Sequence, residues 1–299
     1  MLSVCTLTLN PCLDVHYQVP NIEFNTVNLA NTQMLGLGGK GINVSRRLNQ
    51  WRTSASHANM LGTNFQLTTL ALGGGMLDPI FTALANQEGL NLRLIPAGAL
   101  PRINLHLREP QDEGRFLKVN APGGVESADV LQPLLDYIGE LKPTHLVLAG
   151  SIPPGLPRNT YAELLQHSKG WGAKTYVDCR DEPLLEAIKA KPDFVKVNQT
   201  EFSVLVASDH ETPIDSQLVA YSRTHEVRIC LTNGPSVVLY SDGKSLIQAQ
   251  PPILKVGETV GAGDAFLAGW LAGELLGLDD KGCLNQALEF AHRTASNQV

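Results

Sequence analysis

Basic clusters, long apolar runs and paired cysteines are all missing from this sequence, and each absence removes a class of protein. Only 17% of the 299 residues are charged, 23 Lys and Arg against 29 Asp and Glu, and no basic run stands out as a nucleic-acid footprint. No window holds the roughly 18 uninterrupted apolar residues of a membrane span, and MLSVCTLTLN opens as a strand rather than a basic leader. A cytoplasmic protein with no nucleic-acid and no membrane partner is therefore expected. The five cysteines, Cys5, Cys12, Cys179, Cys230 and Cys283, are odd in number and mostly sit in apolar strand-like runs. That argues for reduced, buried thiols rather than a disulfide framework. The eight histidines never fall at ligand spacing with cysteines or carboxylates, so the linear sequence offers no zinc site.

What the sequence does contain is glycine placed with purpose and enough apolar residues, 43%, for a full core. The run from Glu258 to Gly273 is a glycine-rich turn leading into an apolar helix. Gly261 and Gly263 let the backbone turn sharply and aim N–H groups into one concavity, where the helix dipole also favours an anion. Asp264 falls in the first helical turn. It is either a helix cap or a base that takes a proton from a hydroxyl attacking a bound phosphate. Val4–Leu9 reads as a first buried strand, and Asn10–Asp14 ends it with a carboxylate at the carboxyl end, where parallel α/β sheets bind ligands. The helix after Gly41 carries an apolar stripe of Val44, Leu48 and Trp51. Further strands are expected at 144–149, 174–178, 194–197 and 227–231, with a helix over 130–141. Residues 12–35, 102–109 and 115–120 alternate polar and apolar and read as antiparallel strands outside the main sheet.

Two nucleotide motifs fail on context. Gly36-Leu37-Gly38-Gly39-Lys40-Gly41 satisfies G-x-G-x-x-G, yet no Asp or Glu follows between Ile42 and Leu77 to hold a ribose, so a dinucleotide-binding dehydrogenase is rejected. A Walker P-loop needs Ser or Thr after the lysine, and Gly41 stands there. Lys40, at the mouth of a glycine turn and a helix start, is still well placed for a phosphate or sugar oxygen.

Val260–Phe266 with its small-residue helix, and GGKGINVS at 38–45, resemble the two signatures of the PfkB (ribokinase-like) carbohydrate kinases. The resemblance runs from Thr8 to about Ala291. It implies a three-layer α/β/α fold with a mostly parallel central sheet and a small β-sheet lid, in one domain over 1–299 with lid segments at about 12–35 and 100–121. Gly261, Ala262 and Gly263 are implied as the anion hole and Asp264 as the catalytic base. TLNPCLD at 8–14 is similar to the start of the phosphosugar kinases of the family, which points Asp14 at sugar hydroxyls. Gly38, Gly39, Lys40 and Asn43 are implied at the substrate. Pro101-Arg102-Ile103-Asn104 and Asn120-Ala121-Pro122-Gly123 resemble lid motifs, adding Arg102, Asn104 and Asn120; the guanidinium of Arg102 suits a phosphate. GSIPPG at 150–155 places Ser151 in the cleft. On the nucleotide side the resemblance implies Lys196, Asn198, Thr232, Gly234 and again Gly261 and Gly263, with Asn198 and Glu201 organising Mg²⁺, through water or directly; by spacing alone Asn198 and Glu201 form a capping box.

The chain departs from the family pattern at Met76 and Leu77, at Val237 where a second glycine is expected, and in ending 35 residues after Asp264. The expected activity is Mg·ATP-dependent phosphorylation of a ketohexose phosphate, fructose 1-phosphate, fructose 6-phosphate or tagatose 6-phosphate, with a homodimer through the lid. The alternatives are a kinase for an unphosphorylated sugar or nucleoside, and a catalytically weak sugar-phosphate-binding regulator.

Overall fold

A computed structural model of the chain describes residues 2–54, 64–98, 100, 102–110, 112–206, 212–252 and 261–296. Residues 258–260 of the glycine turn, Pro101 and the last three residues of the chain lie outside these. Strand β1 (Ser3–Thr8) leads into β2 (Cys12–Gln18), which leaves the main sheet and pairs antiparallel with β3 (Thr32–Gly38). Helix α1 (Lys40–Thr53) follows, then β4 (Gln66–Gly73), α2 (Asp78–Gln87) and β5 (Leu92–Pro96). The chain leaves the sheet again for β6 (Ile103–Glu109) and β7 (Asp112–Asn120). It returns through α3 (Leu131–Leu141), β8 (His145–Ala149), α4 (Thr160–Ser168), β9 (Lys174–Asp178), α5 (Asp181–Lys189) and β10 (Phe194–Asn198). Helices α6 (Gln199–Leu205) and α7 (Ile214–His225) precede β11 (Arg228–Thr232) and the strands β12 (Val238–Ser241) and β13 (Leu246–Ala249). Helices α8 (Ala262–Leu275) and α9 (Asp280–Ala295) close the fold.

The large sheet runs β13-β12-β11-β10-β9-β8-β1-β4-β5 and is parallel except for the β12 and β13 edge. Because side chains alternate across a strand, each buried strand feeds two cores. Leu146 and Leu148 of β8 face one core with α3, α4 and α5, while Val147 and Ala149 face the other with α1, α8 and α9. The same alternation puts Val195 and Val197 of β10 on the first face and leaves Lys196 on the face that carries α8. That single parity places a lysine under the helix whose first turn holds Asp264.

Helix α8 is buried nearly all round, as its sequence of alanine, leucine, glycine and tryptophan requires. Gly269 and Gly273 let α9 come close: a Cβ on Gly269 would stand 2.6 Å from the Gln286 carbonyl oxygen, and one on Gly273 2.7 Å from Cys283 Cα. The helix is thereby fixed in depth, and so is its N-terminal turn.

The lid is a separate four-stranded sheet, β3-β2-β6-β7. Alternation at 12–18 and 103–109 correctly marks strands outside the main sheet, but the central β2–β6 pair is parallel, Asp14 opposite Asn104 and His16 opposite His106. The antiparallel expectation holds only for β2–β3 and β6–β7. Alternation reports which side chains share a face and is silent on strand direction. Leu13, Val15 and Leu37 anchor the lid on a small core with Ile42, Leu77 and Phe81. Leu77, a departure from the family pattern, is thus a core residue, while Met76 is exposed. All five cysteines are buried and free, and no helix among the described residues is long and apolar enough to cross a membrane.

Candidate active site

Gly261 takes φ +79°, the left-handed conformation that turns the chain into α8 without strain for a residue lacking Cβ. Ala262, Gly263 and Asp264 are then the first three helical residues. Their N–H groups have no partner within the helix, so this end can receive an anion. The Asp264 carboxylate is met from outside the helix, its Oδ2 accepting from Asn43 Nδ2 at 2.7 Å. Arg46 in turn donates to Asn43 Oδ1, which fixes the amide's orientation, and Arg46 is held by Glu88 Oε2 at 2.6 Å and the Leu37 carbonyl at 2.6 Å. Burial, and next the nearby Asp178, push the Asp264 carboxyl up to about 6, against the pull of Lys40, Asn43 and Lys196. A carboxylate with that pKa is ionised at neutral pH yet basic enough to accept a proton.

Asp178 ends β9 and is wholly buried. Its two oxygens accept from Lys40 Nζ at 2.8 Å and Lys196 Nζ at 3.0 Å. Burial opposes ionisation, but the two ammonium groups prevail and hold Asp178 below the usual carboxylate range. Burial likewise opposes the charge on Lys40, and Asp178 followed by Asp264 overcomes it and raises the lysine's pKa. Lys40 is therefore a fixed cation beside Asp264, and Lys196 is tethered there by the same carboxylate. Lys196 reaches the anion-binding turn itself, since a Cβ on Gly263 would lie 3.1 Å from its Nζ.

The cleft above this cluster, about 630 Å³, is lined by Asp14, Gly39, Lys40, Asn43, Arg102, Asn104, Asn120, Ser151, Gly261 and Asp264, which gathers most of the substrate and catalytic residues expected from sequence. Asp14 accepts from Asn104 Nδ2 at 2.8 Å. Gly38 lies directly against its other oxygen, at a spot where a Cβ would stand 2.2 Å from Oδ2, so only glycine leaves room for this carboxylate. Ser151 Oγ accepts from Asn10 Nδ2 at 3.2 Å. Arg102 is less free than its motif suggests: Nε donates to the Ala121 carbonyl at 3.0 Å and Nη1 to the Asn10 carbonyl at 2.6 Å, tying the lid exit to the β1–β2 turn.

Of the nucleotide-side residues, Lys196 belongs to this cluster and the others fall beside it. Asn198, Thr232 and Gly234 line an adjoining groove of about 430 Å³, while Glu201 lines the main cleft. The two clefts meet at a complete capping box, with Glu201 N–H donating to Asn198 Oδ1 at 2.9 Å and Asn198 N–H to Glu201 Oε2 at 2.8 Å. Each side chain keeps lone pairs beyond the box. Those free lone pairs are on oxygen, the donor type that Mg²⁺ takes alongside phosphate oxygens and water.

Several cleft residues escaped the linear reading. Asp178 carried a usable signal, an acid at the carboxyl end of a buried strand. The Glu88–Arg46–Asn43 chain carried none. Nor did His16 and His106, whose rings stack at 4.4 Å beside Asp14, with His106 Nε2 3.6 Å from Asp14 Oδ1. Burial first, and the charge of Lys118 among other neighbours, lower the pKa of both histidines. The linear sequence offers no zinc site, yet Asp14 and His16, two apart on β2, share a face, and the parallel β2–β6 register adds His106 from about ninety positions away, which sequence spacing does not show.

A buried aspartate at a glycine-turned helix start, two lysines beside it and a β-sheet lid over the cleft define a carbohydrate kinase of the ribokinase-like fold. The pfkB family carbohydrate kinase profile matches residues 7–299, and the chain belongs to that family. The chain is 30% identical over 97% of its length to the 1-phosphofructokinase of Xanthomonas campestris, covering 89% of that protein. It is 26% identical over 99% of its length to the tagatose-6-phosphate kinase of Staphylococcus epidermidis, covering 93% of it. The crystal structure of Escherichia coli phosphofructokinase-2 in complex with potassium superposes with a TM-score of 0.88 at 25% identity, covering all of this chain and 94% of the other.

Proposed function

We propose that this chain is an ATP-dependent kinase for a phosphorylated ketohexose, acting as one domain over 1–299 with lid segments at about 12–35 and 100–121. The observation that carries the reading is Asp264, a buried carboxylate raised to about 6 at the start of α8, with Lys40 and Lys196 fixed beside it by Asp178. The sugar, held through Asp14, Asn104 and Asn120, presents a hydroxyl to Asp264. As that oxygen attacks the γ-phosphorus its proton passes to the carboxylate and the bond to the ADP oxygen breaks. The N–H groups at Gly261 to Gly263, the helix dipole and Lys196 oppose the charge that develops on the transferring oxygens. Mg²⁺, when bound with ATP, neutralises phosphate charge, and Asn198 and Glu201 are the residues placed to orient it through water.

The test is release of ADP with fructose 1-phosphate, fructose 6-phosphate and tagatose 6-phosphate, against fructose, ribose and a nucleoside. Turnover confined to the phosphorylated sugars supports the reading. A second reading, a kinase for an unphosphorylated sugar, is favoured by the commitment of Arg102 to two carbonyls and of Lys40 to Asp178. Preference for a neutral sugar in the same panel establishes it, and no turnover with any sugar returns the chain to a binding regulator.

The partner we infer is a second copy through the lid. Phe24, Val27, Leu29, Met34, Phe116 and Val119 are each at least half exposed on lid segments, an apolar surface of the kind that marks an interface. Sedimentation of Phe116→Glu as a monomer, with the parent a dimer, supports this; a monomeric parent refutes it.

A further inference from the structure

We propose that the sugar end of the cleft contains a binding site for a first-row transition cation such as Zn²⁺, made by Asp14, His16 and His106, and that occupancy of this site shuts out the sugar. The ligating atoms of the three residues all lie within 4.8 Å of one another. Around tetrahedral zinc with bonds of about 2.1 Å, ligand atoms stand about 3.4 Å apart, so closure needs movements of roughly an ångström, within reach of side-chain rotation.

The backbone prepares the arrangement. Asp14 and His16 are two apart on β2 and share a face, and the parallel ladder sets His106 of β6 beside His16. The two imidazoles stack with centroids 4.4 Å and planes 16° apart, so their in-plane lone pairs run nearly parallel from neighbouring positions and the rings must splay apart to converge on one ion. His106 Nε2 is buried with no hydrogen-bond partner and faces Asp14 Oδ1 at 3.6 Å. Asn104 Nδ2 donates to that same oxygen at 2.8 Å, the outer donor that steadies a ligating carboxylate. Asp14, His16 and His106 all line the main cleft, so the remaining coordination positions open toward water or substrate.

Two imidazoles and one carboxylate form the donor set of zinc, cobalt, nickel and iron, and are poorly matched to Mg²⁺, which prefers oxygen in a near-ideal octahedron. The site therefore discriminates against the metal that serves ATP. A cation drawing Asp14 toward the histidines removes the carboxylate assigned to the sugar hydroxyls. This inhibitory consequence rests on the proposed function, whereas metal binding itself does not.

The test is a titration of the full-length protein with Co²⁺ as chloride, without substrate, read in the visible spectrum, followed by Zn²⁺ displacement. A ligand-field band distinct from the aquo ion is expected, and His16→Gln and His106→Gln should each weaken binding at least about tenfold, the lower scale of loss even for outer-sphere partners. His106→Cys, which restores a metal ligand, should recover the band with altered position, separating loss of a ligand from loss of structure. In the ADP assay Zn²⁺ should raise KM for the sugar phosphate and leave KM for MgATP unchanged. An aquo-ion spectrum, or a band that persists in both glutamine variants, overturns the site. Inhibition competitive with MgATP, or bound metal with an unchanged sugar KM, overturns the shut-out. If no sugar phosphate is turned over, the spectrum alone still decides the site.

Discussion

Replacing Asp264 with Asn probes chemistry and stability at once, because the side chain is 7% exposed and its carboxyl is held near pH 6 rather than the ordinary 3.8. The folded state binds this proton more tightly than the unfolded chain does. Stability from that proton is fully present below about pH 4 and is lost as pH rises through about 6, so at pH 8 the ionised carboxylate destabilises the fold. A gap from 3.8 to about 6, at about 1.36 kcal/mol per pH unit, corresponds to about 3 kcal/mol. Asp264→Asn is nearly isosteric and its amide oxygen can still accept from Asn43, so it should gain up to about 3 kcal/mol at pH 8 and little at pH 4. Turnover should fall by about 10²–10⁴, the scale of a lost general base. For the parent, kcat/KM should decline as pH drops through about 6. Urea unfolding at the two pH values and an ADP-release assay measure all three. If the variant turns over within a few-fold of the parent, Asp264 is not the base; if it shows the same stability increment at both pH values, Asp264 is not an ionised buried group at pH 8.

Asp178→Asn should destabilise the fold by about 3 kcal/mol, because two ammonium groups lose a wholly buried partner, and urea unfolding at pH 7 reads it. Arg46→Met should lower kcat more than KM, since it frees the Asn43 amide that faces Asp264, and an unchanged kcat would detach this chain from catalysis. Glu201→Gln should raise the Mg²⁺ concentration for half-maximal rate, and an identical Mg²⁺ titration returns Glu201 to a purely capping role. Lys40→Met should raise KM for a ketohexose phosphate about tenfold or more, the scale of one charged hydrogen bond at about 1.5–3 kcal/mol, while KM for a neutral sugar hardly moves.

The parts of this molecule that were legible in its sequence are those whose residues are neighbours along the chain. The Gly261–Asp264 turn and the Asn198–Glu201 box are each set by four consecutive residues, so spacing alone placed them at helix starts. The stripe of Val44, Leu48 and Trp51 was legible for the same reason. The β12–β13 hairpin was readable and passed over: Asp242-Gly243 between two short alternating runs is a turn signal, and Gly243 takes φ +83° as such a turn demands.

The electrostatic centre belongs to a different category. Lys196 reads as an ordinary polar interruption in an apolar strand and Asp178 as a strand end, and nothing local says they meet. They meet because both strands place these residues on the face of the sheet that carries α8, and because Gly263 has no Cβ to keep Lys196 from the turn. Sequence spacing encodes which face a side chain takes; strand order and register decide whom it finds there. The same division explains the lid, where Asp14 was noticed for its place after a strand while His106 was not noticed at all. A parallel register with no short-range signature makes them partners, and a substitution that slipped β6 by one residue would turn His106 to the opposite face and separate it from Asp14 and His16 together.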